Sequence, residues 1–496
     1  MPRRILIFAL AAGIIWSASQ AIRAYAQTGP DWPQWGRTPQ HNGSTPAVGQ
    51  SPNRQLAKIT FDPFVSQEQA ESGGELLAHY QVPLIDGNRV FLEVKTGRYS
   101  GPQTWDTQVW NERAFTWRNG SLVELWNFQS DWKPEPDGNS FLTGLGGWEP
   151  VFEAAMESDC VFVPGASGSV YQLNESTGAV VAHYAPFSTR DPHTFVSGPL
   201  TLDSSGNLYY NVIRLNAANP WTSNVAGAWL VKVSAQGQVQ TVSYSTLVPD
   251  APTTCGGNHF CGSQRPGINV APAVSSDGQT IVTVSRAHFY DNYGYMVAVN
   301  SDLTPQWDTA MNGLVGSGAD VLDQASSTPS VAPDGSILFG VSGNNGGRGY
   351  LLKFTSSGAY LGNYDFGWDS TPAIYASGNT YSVILKDNHY SSDGPYYITE
   401  LSADLSTIQW QFQNMTFNSG HPDGYEWCVN APAVDATGTV YVNSEDGNVY
   451  VINPDGTEKG QLFLQSAIGA AYTPIAVGLD GKIYTENDGD MFVIGN

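Results

Sequence analysis

Residues 430–456 read NAPAVDATGTVYVNSEDGNVYVINPDG. The apolar runs Pro-Ala-Val, Thr-Val-Tyr-Val and Asn-Val-Tyr-Val-Ile are each closed by a turn ending in glycine: DATG, SEDG and NPDG. Short β-rich runs punctuated this way are antiparallel strands joined by hairpins. The stretch is three strands of one unit, and the fold follows from how often that unit recurs.

Pro432 serves as the marker, because a proline near the start of an innermost strand can lack its N–H at little cost. The same setting recurs at Pro83, Pro150, Pro199, Pro272, Pro329, Pro372 and Pro474, which makes eight units. A fourth strand is marked by an aromatic at Trp126, Tyr184, Tyr244, Trp307, Tyr364 and Trp410, and by KGQLFLQ in the seventh unit. The eighth unit reaches Asn496 after three strands, leaving an outer edge that folded proteins avoid. QLAKITFDPF, Gln55 to Phe64, has the composition of the missing strand. The expected fold is therefore all-β: an eight-bladed β-propeller of four-stranded antiparallel blades, closed by an N-terminal strand that completes the last blade.

Of the 496 residues, 1–26 read as a signal peptide, with Arg3 and Arg4 before an apolar run from Ile5 to Trp16 and AYA at Ala24 to Ala26. Residues 27–53 form an N-terminal segment and 54–496 the propeller. The apolar run is too short to span a bilayer, and no later segment has that character, so a secreted or periplasmic protein is expected. The first cysteine is Cys160, far from any lipoprotein cleavage point. A formal charge of -23 argues against nucleic acid as a partner, since phosphate binding draws on clustered Lys and Arg.

In a four-stranded blade the first-to-second and third-to-fourth turns lie on one face. There the turns are minimal: SSDG, APDG, DATG, GLDG, NPDG. The opposite face collects long insertions at 130–148, 188–195, 248–267, 312–324 and 414–428, and loops within blades such as RAHFYDNYG and KDNHYSSDG. Long loops on a rigid scaffold are where binding residues concentrate. His288 with Tyr290 and His389 with Tyr390 occupy similar inserts in blades 4 and 6, and are the candidate acid–base groups. His193, Arg286, Trp368, Asp369, His421, Glu426 and Trp427 are the candidate ligand contacts, with the aromatics offering faces to a sugar. Cys255 and Cys261 bracket GGNHF in an exported loop and are expected to form a disulfide, with Cys160 and Cys428 as buried thiols. No motif at these positions specifies a metal.

SGSVYQLNESTGAVVAHY (167–184), DGNVYVINPDGTEKGQLFL (446–464) and DWPQWGRTPQHNG (31–43) resemble the pyrroloquinoline-quinone-like propeller repeat. That family includes quinoprotein alcohol dehydrogenases and the propeller scaffold of outer-membrane assembly. The resemblance implies the propeller over the whole mature chain, with pyrroloquinoline quinone (PQQ) and calcium as cofactors if the dehydrogenase branch applies. The chain lacks the adjacent cysteine pair typical of that branch, and the anchoring cysteine typical of the scaffold. Three functions stay open: a noncatalytic protein binding a glycan or cell-envelope partner on the long-loop face, a carbohydrate-active lyase or hydrolase using His and Tyr there, and a quinoprotein oxidoreductase.

Overall fold

The computed structural model describes residues 29–101, 105–136, 148–157, 159–316, 318–343, 347–388, 394–467 and 471–496. Residues 1–26, expected to be a signal peptide, lie outside them.

In blade 7, Ala433–Val434, Val440–Asn443, Asn448–Ile452 and Glu458–Phe463 are hydrogen-bonded in that order from the centre outward. The inner strands are buried almost throughout because neighbouring blades cover both faces, whereas Glu458–Phe463 alternates exposed and half-buried. The same four-strand order recurs in eight blades. The last contains Ile475–Val477, Ile483–Asn487 and Asp490–Gly495, and its outer place is taken by Arg54–Thr60, antiparallel to Asp490–Gly495. The ring closes as the sequence predicts.

The fourth-strand aromatics have a job that spacing alone does not reveal. Trp126, Tyr184, Trp307 and Trp410 each lie against a turn glycine of the following blade, at Gly178, Gly237, Gly358 and Gly456. At Gly456 a Cβ would stand 2.6 Å from Trp410, and the turn runs at φ +81, so glycine is required on both counts. Trp126 also donates its indole N–H to the Glu175 carbonyl at 2.7 Å. Each aromatic thus dovetails one blade into the next. Tyr244 departs from the pattern: it opens the short helix Tyr244–Leu247, and its buried hydroxyl bonds Asn211 and Thr283.

The segment before the first strand closes the short-turn end of the channel. The carbonyls of Pro39, Gln40, Asn42 and Gly43 accept in turn from the N–H groups of Val274, Val331, Ile374 and Val434, the innermost strands of blades 4 to 7. Pro33 reaches Met156 in blade 2, the Gln34 amide pairs with Leu202 in blade 3, and Trp32 bridges Ile85 in blade 1. His41 is fully buried in this plug, its ring nitrogens bonded to the Pro329 carbonyl and Thr201 hydroxyl, and burial lowers its pKa to about 4. The plug thus fills the short-turn end of the channel.

Candidate functional site

Toward the long-loop end of the channel lie buried charges in three groups. In blade 1, Lys95 meets Asp62 at 2.7 Å and Glu149 at 2.9 Å, and Tyr80 donates its hydroxyl to Asp62. In blade 4, Arg265 grips Asp323 through both terminal nitrogens, and Arg286 adds a third contact at 3.1 Å. In blade 6, Lys386 faces Asp369 at 3.4 Å, while the other Asp369 oxygen accepts from the Ser326 N–H. Burial opposes the charge on Asp323, but Arg265 and Arg286 outweigh it and hold the carboxyl at about 2. Such pairs define geometry more than they add stability, because desolvation consumes much of the Coulomb gain. Asn269 ties the groups together, accepting from the Val151 N–H and donating to the Ala325 carbonyl.

His79 sits between these groups, stacked on Trp148 at 5.1 Å and bonded to the Gln324 carbonyl. Burial holds its pKa near 4. Glu426 is half-buried nearby; burial raises its carboxyl to about 7 against the pull of Lys386.

Over blades 3 and 4 the long loop folds back as a hairpin, Thr254–Cys255 paired with His259–Phe260, cross-linked by the Cys255–Cys261 disulfide. Cys255, Cys261, Ala287, Tyr290 and Tyr293 form a small cluster beneath it. At the tip Phe260 is 56% exposed and leans on Phe289, itself 36% exposed, with 6.1 Å between ring centroids. Replacing both cysteines by serine should cost about 2 kcal/mol, as expected from freeing so short a loop in the unfolded chain. Denaturant titration checks the value, and no loss would mean the hairpin holds without the bond.

The proposed site residues fall into distinct environments. Arg286 and His288 come together with Arg265, but as structure: His288 accepts from Arg265 through Nδ1 at 3.1 Å, and Nε2 meets the Trp221 carbonyl at 3.2 Å. Burial, then the two arginines, lower its pKa to about 3, so it is neutral with both nitrogens engaged. Tyr290 packs against the disulfide and stacks on His259, with 6.4 Å between ring centroids, rather than pairing with His288. His389 and Tyr390 lie outside the described residues. Asp369 is buried in the Lys386 pair. Trp427 is 1% exposed and packs against Phe412 and Tyr450, so neither ring face is open to a sugar. Trp368 is half-buried and crosses Gly349, where a Cβ would fall 2.2 Å from its own. His193 pairs with Glu135 at 2.8 Å, and His421 stacks on Tyr425 at 3.9 Å; both are partly exposed on the long-loop rim. Cys428 is a buried free thiol just ahead of its strand, whereas Cys160 is only half-buried and accepts from the Gln172 amide.

Sequence reading missed Lys95, Arg265, Asp323 and Lys386. A signal was present, since Lys95 and Lys386 interrupt apolar runs, FLEVK and VILK, in strands buried on both faces. A buried lysine in such a place implies a buried partner.

No protein-family model matches the sequence, and none of the curated proteins does. Among solved structures, a europium-containing methanol dehydrogenase aligns with 91% of this chain and 89% of its own, at a TM-score of 0.58 and 11% identity. The quinohemoprotein alcohol dehydrogenase from Comamonas testosteroni aligns with 94% of this chain and 81% of its own, at 0.56 and 11%. BamB from Moraxella catarrhalis aligns over 89% and 99%, at 0.45 and 14%. The likeness to the two dehydrogenases, at this identity, is one of fold: this chain has the fold of the PQQ-like propellers.

Proposed function

We propose that this chain is an exported binding propeller whose long-loop face engages a cell-envelope partner without transforming it. The observation that carries the reading is the exposed Phe260–Phe289 pair on a hairpin held by a disulfide. Met415 and Phe417, 66% and 46% exposed, add a second apolar point in the loop ahead of blade 7. Exposed aromatics on a rigid mount favour a partner surface. Phenyl rings carry no hydrogen-bonding groups, which favours an apolar protein segment over a glycan at this point. The disulfide accords with an oxidising, exported setting.

Of the two imidazoles on which the lyase or hydrolase reading rests, His288 has both nitrogens engaged and His389 lies outside the described residues. The oxidoreductase reading needs residues for calcium and PQQ. Among the described residues no three of His, Cys, Asp and Glu are arranged to hold a metal ion. Glu149, Asp323 and Asp369 each face a buried cation, and Lys95, Arg265 and Arg286 are engaged in return. Calcium takes six to eight oxygen ligands, so these residues do not fit it.

A photo-crosslinking residue placed at Phe260 or Phe417, in cells exporting the protein, should yield a discrete adduct. The same residue at Val181 or Phe463 on the outer strands should not; equal labelling at the outer strands would sink the proposal. With that partner purified, Phe260→Ala is expected to weaken binding by about 1–3 kcal/mol, the range of an aromatic anchor.

A further inference from the structure

Carboxyl groups without a bonded cation lie beside the exposed Phe260–Phe289 pair. Phe289, Asp291 and Asn292 share the connection between Thr280–Ala287 and Tyr295–Asn300, the second and third strands of blade 4. The loop ahead of blade 5 is tied to this connection, the Val321 N–H donating to the Asp291 carbonyl at 2.9 Å, which brings Asp320 alongside. Asp320 is 6% exposed, and one of its carboxyl oxygens is enclosed with no hydrogen-bond partner, as is the side-chain oxygen of Asn292. Asp291 is partly exposed, and among the described residues its carboxylate makes no ion pair or hydrogen bond. Burial, then repulsion from Asp291, raises the Asp320 carboxyl to about 7 against the pull of Arg286. Arg286 itself is bonded elsewhere, to Asp323 and to the Val321 and Ala287 carbonyls, each at 3.1 Å.

Enclosed oxygens without donors cost free energy, and here the missing donor must also bring positive charge. An ammonium or guanidinium group supplies several N–H donors together with that charge. The apolar pair and the carboxyls sit on one connection, Phe289 two residues ahead of Asp291, so one short segment of a partner can reach both. Resting on the reading that this face docks an apolar protein segment, we infer that the segment carries a lysine or arginine next to its apolar residue. Asp291 and Asp320 receive the cation, and Phe260 with Phe289 receives the apolar neighbour. The cation relieves the repulsion between the two carboxyls, and added salt weakens the attraction.

The test is titration of the mature protein with three labelled peptides, each with a central Phe-Leu pair flanked by lysines, by serines or by glutamates. The lysine-flanked peptide is expected to bind saturably and about tenfold more tightly than the serine-flanked one, the worth of a charge-assisted contact, and the glutamate-flanked one more weakly still. Asp291→Asn, at a partly exposed position, and separately Asp320→Asn, close in shape to the native side chain, should each remove most of the preference for lysine and leave the serine-flanked peptide unchanged. In a chain of formal charge -23 any basic peptide is attracted, so the control is the double variant Asp302→Asn, Glu458→Gln, which removes two exposed carboxylates elsewhere. An equal loss in that control would show attraction to the whole chain and overturn the site. Equal binding of the lysine- and serine-flanked peptides, both weakened by Phe260→Ala, would overturn the cation site while the apolar docking reading stands. Failure of all three to bind would overturn the inference, and the Phe260 crosslinks then judge the docking reading by themselves.

Discussion

Replacing Asp323 by alanine is expected to destabilise the protein by about 3–5 kcal/mol, the cost of leaving a buried charge without its partner. The carboxylate is fully buried and takes both terminal nitrogens of Arg265, one of Arg286 and the Ile268 N–H. Its removal strands two guanidinium groups, one fully buried and the other nearly so, and neither can reach water without unpacking blade 4. Arg265 also fixes His288, so the disulfide hairpin above it loses part of its footing. Denaturant unfolding of Asp323→Ala against Asp334→Ala, a carboxylate with half of its side chain exposed, measures the difference. A loss below about 1 kcal/mol, the level of an exposed pair, would mean the arginines find other partners.

Stability is also expected to fall as pH rises from 6.5 to 8, the reverse of what salt-bridged carboxylates produce. Glu93 and Glu112 face each other across two strands of blade 1, and Glu153 and Glu486 approach from blades 2 and 8. All four are buried. Neither oxygen of Glu93 or Glu486 has a hydrogen-bond partner, and Gln81 donates only a long bond of 3.4 Å to Glu112. Burial raises Glu112 to about 8 and pushes the other three well above the glutamate range; the neighbouring Lys95 pulls Glu93 down and Glu149 and Asp62 push it up.

An unfolded glutamate releases its proton near 4.5, so above that the folded chain holds more protons and each rise in pH favours unfolding. The contribution is whole below the unfolded value and is lost as pH climbs through the folded one. For Glu112 the loss from pH 6.5 to 8 is roughly 2 kcal/mol. His41, His79 and His288, lowered to about 4, 4 and 3, give the opposite slope, but only below the ordinary imidazole value near 6.5. Denaturant midpoints at pH 6.5, 7.25 and 8 should therefore decline, and Glu112→Gln should flatten the decline. A flat or rising series in the native chain would show these carboxyls already ionised.

Chemistry that acts between near neighbours was legible in the sequence. Gly-bearing turns, alternating outer strands such as Glu458–Phe463, and a proline ahead of each innermost strand together determined eight blades. A strand short in the eighth unit pointed to Gln55–Phe64 as the segment that closes the ring, and Arg54–Thr60 is the strand that does so. Cys255 and Cys261, six residues apart, were readable as a pair for the same reason. Each depends on backbone preferences or on residues a few positions away, and those are written in order along the chain.

Only the tertiary structure decided what lies across the ring. Trp35 donates to Thr371, 336 positions away, and His41 meets Thr201 at a separation of 160, so the plug formed by residues 30–50 has no local sign. His288 and Arg286 looked like free reactive groups in a polar loop until Arg265 and Asp323, distant in sequence, were brought against them. Trp427 followed the same course into the core beside Tyr450. A side chain's availability depends on what packs against it, and in a propeller those contacts come from the next blade, whose approach is set by stacking rather than by the residue's own neighbours.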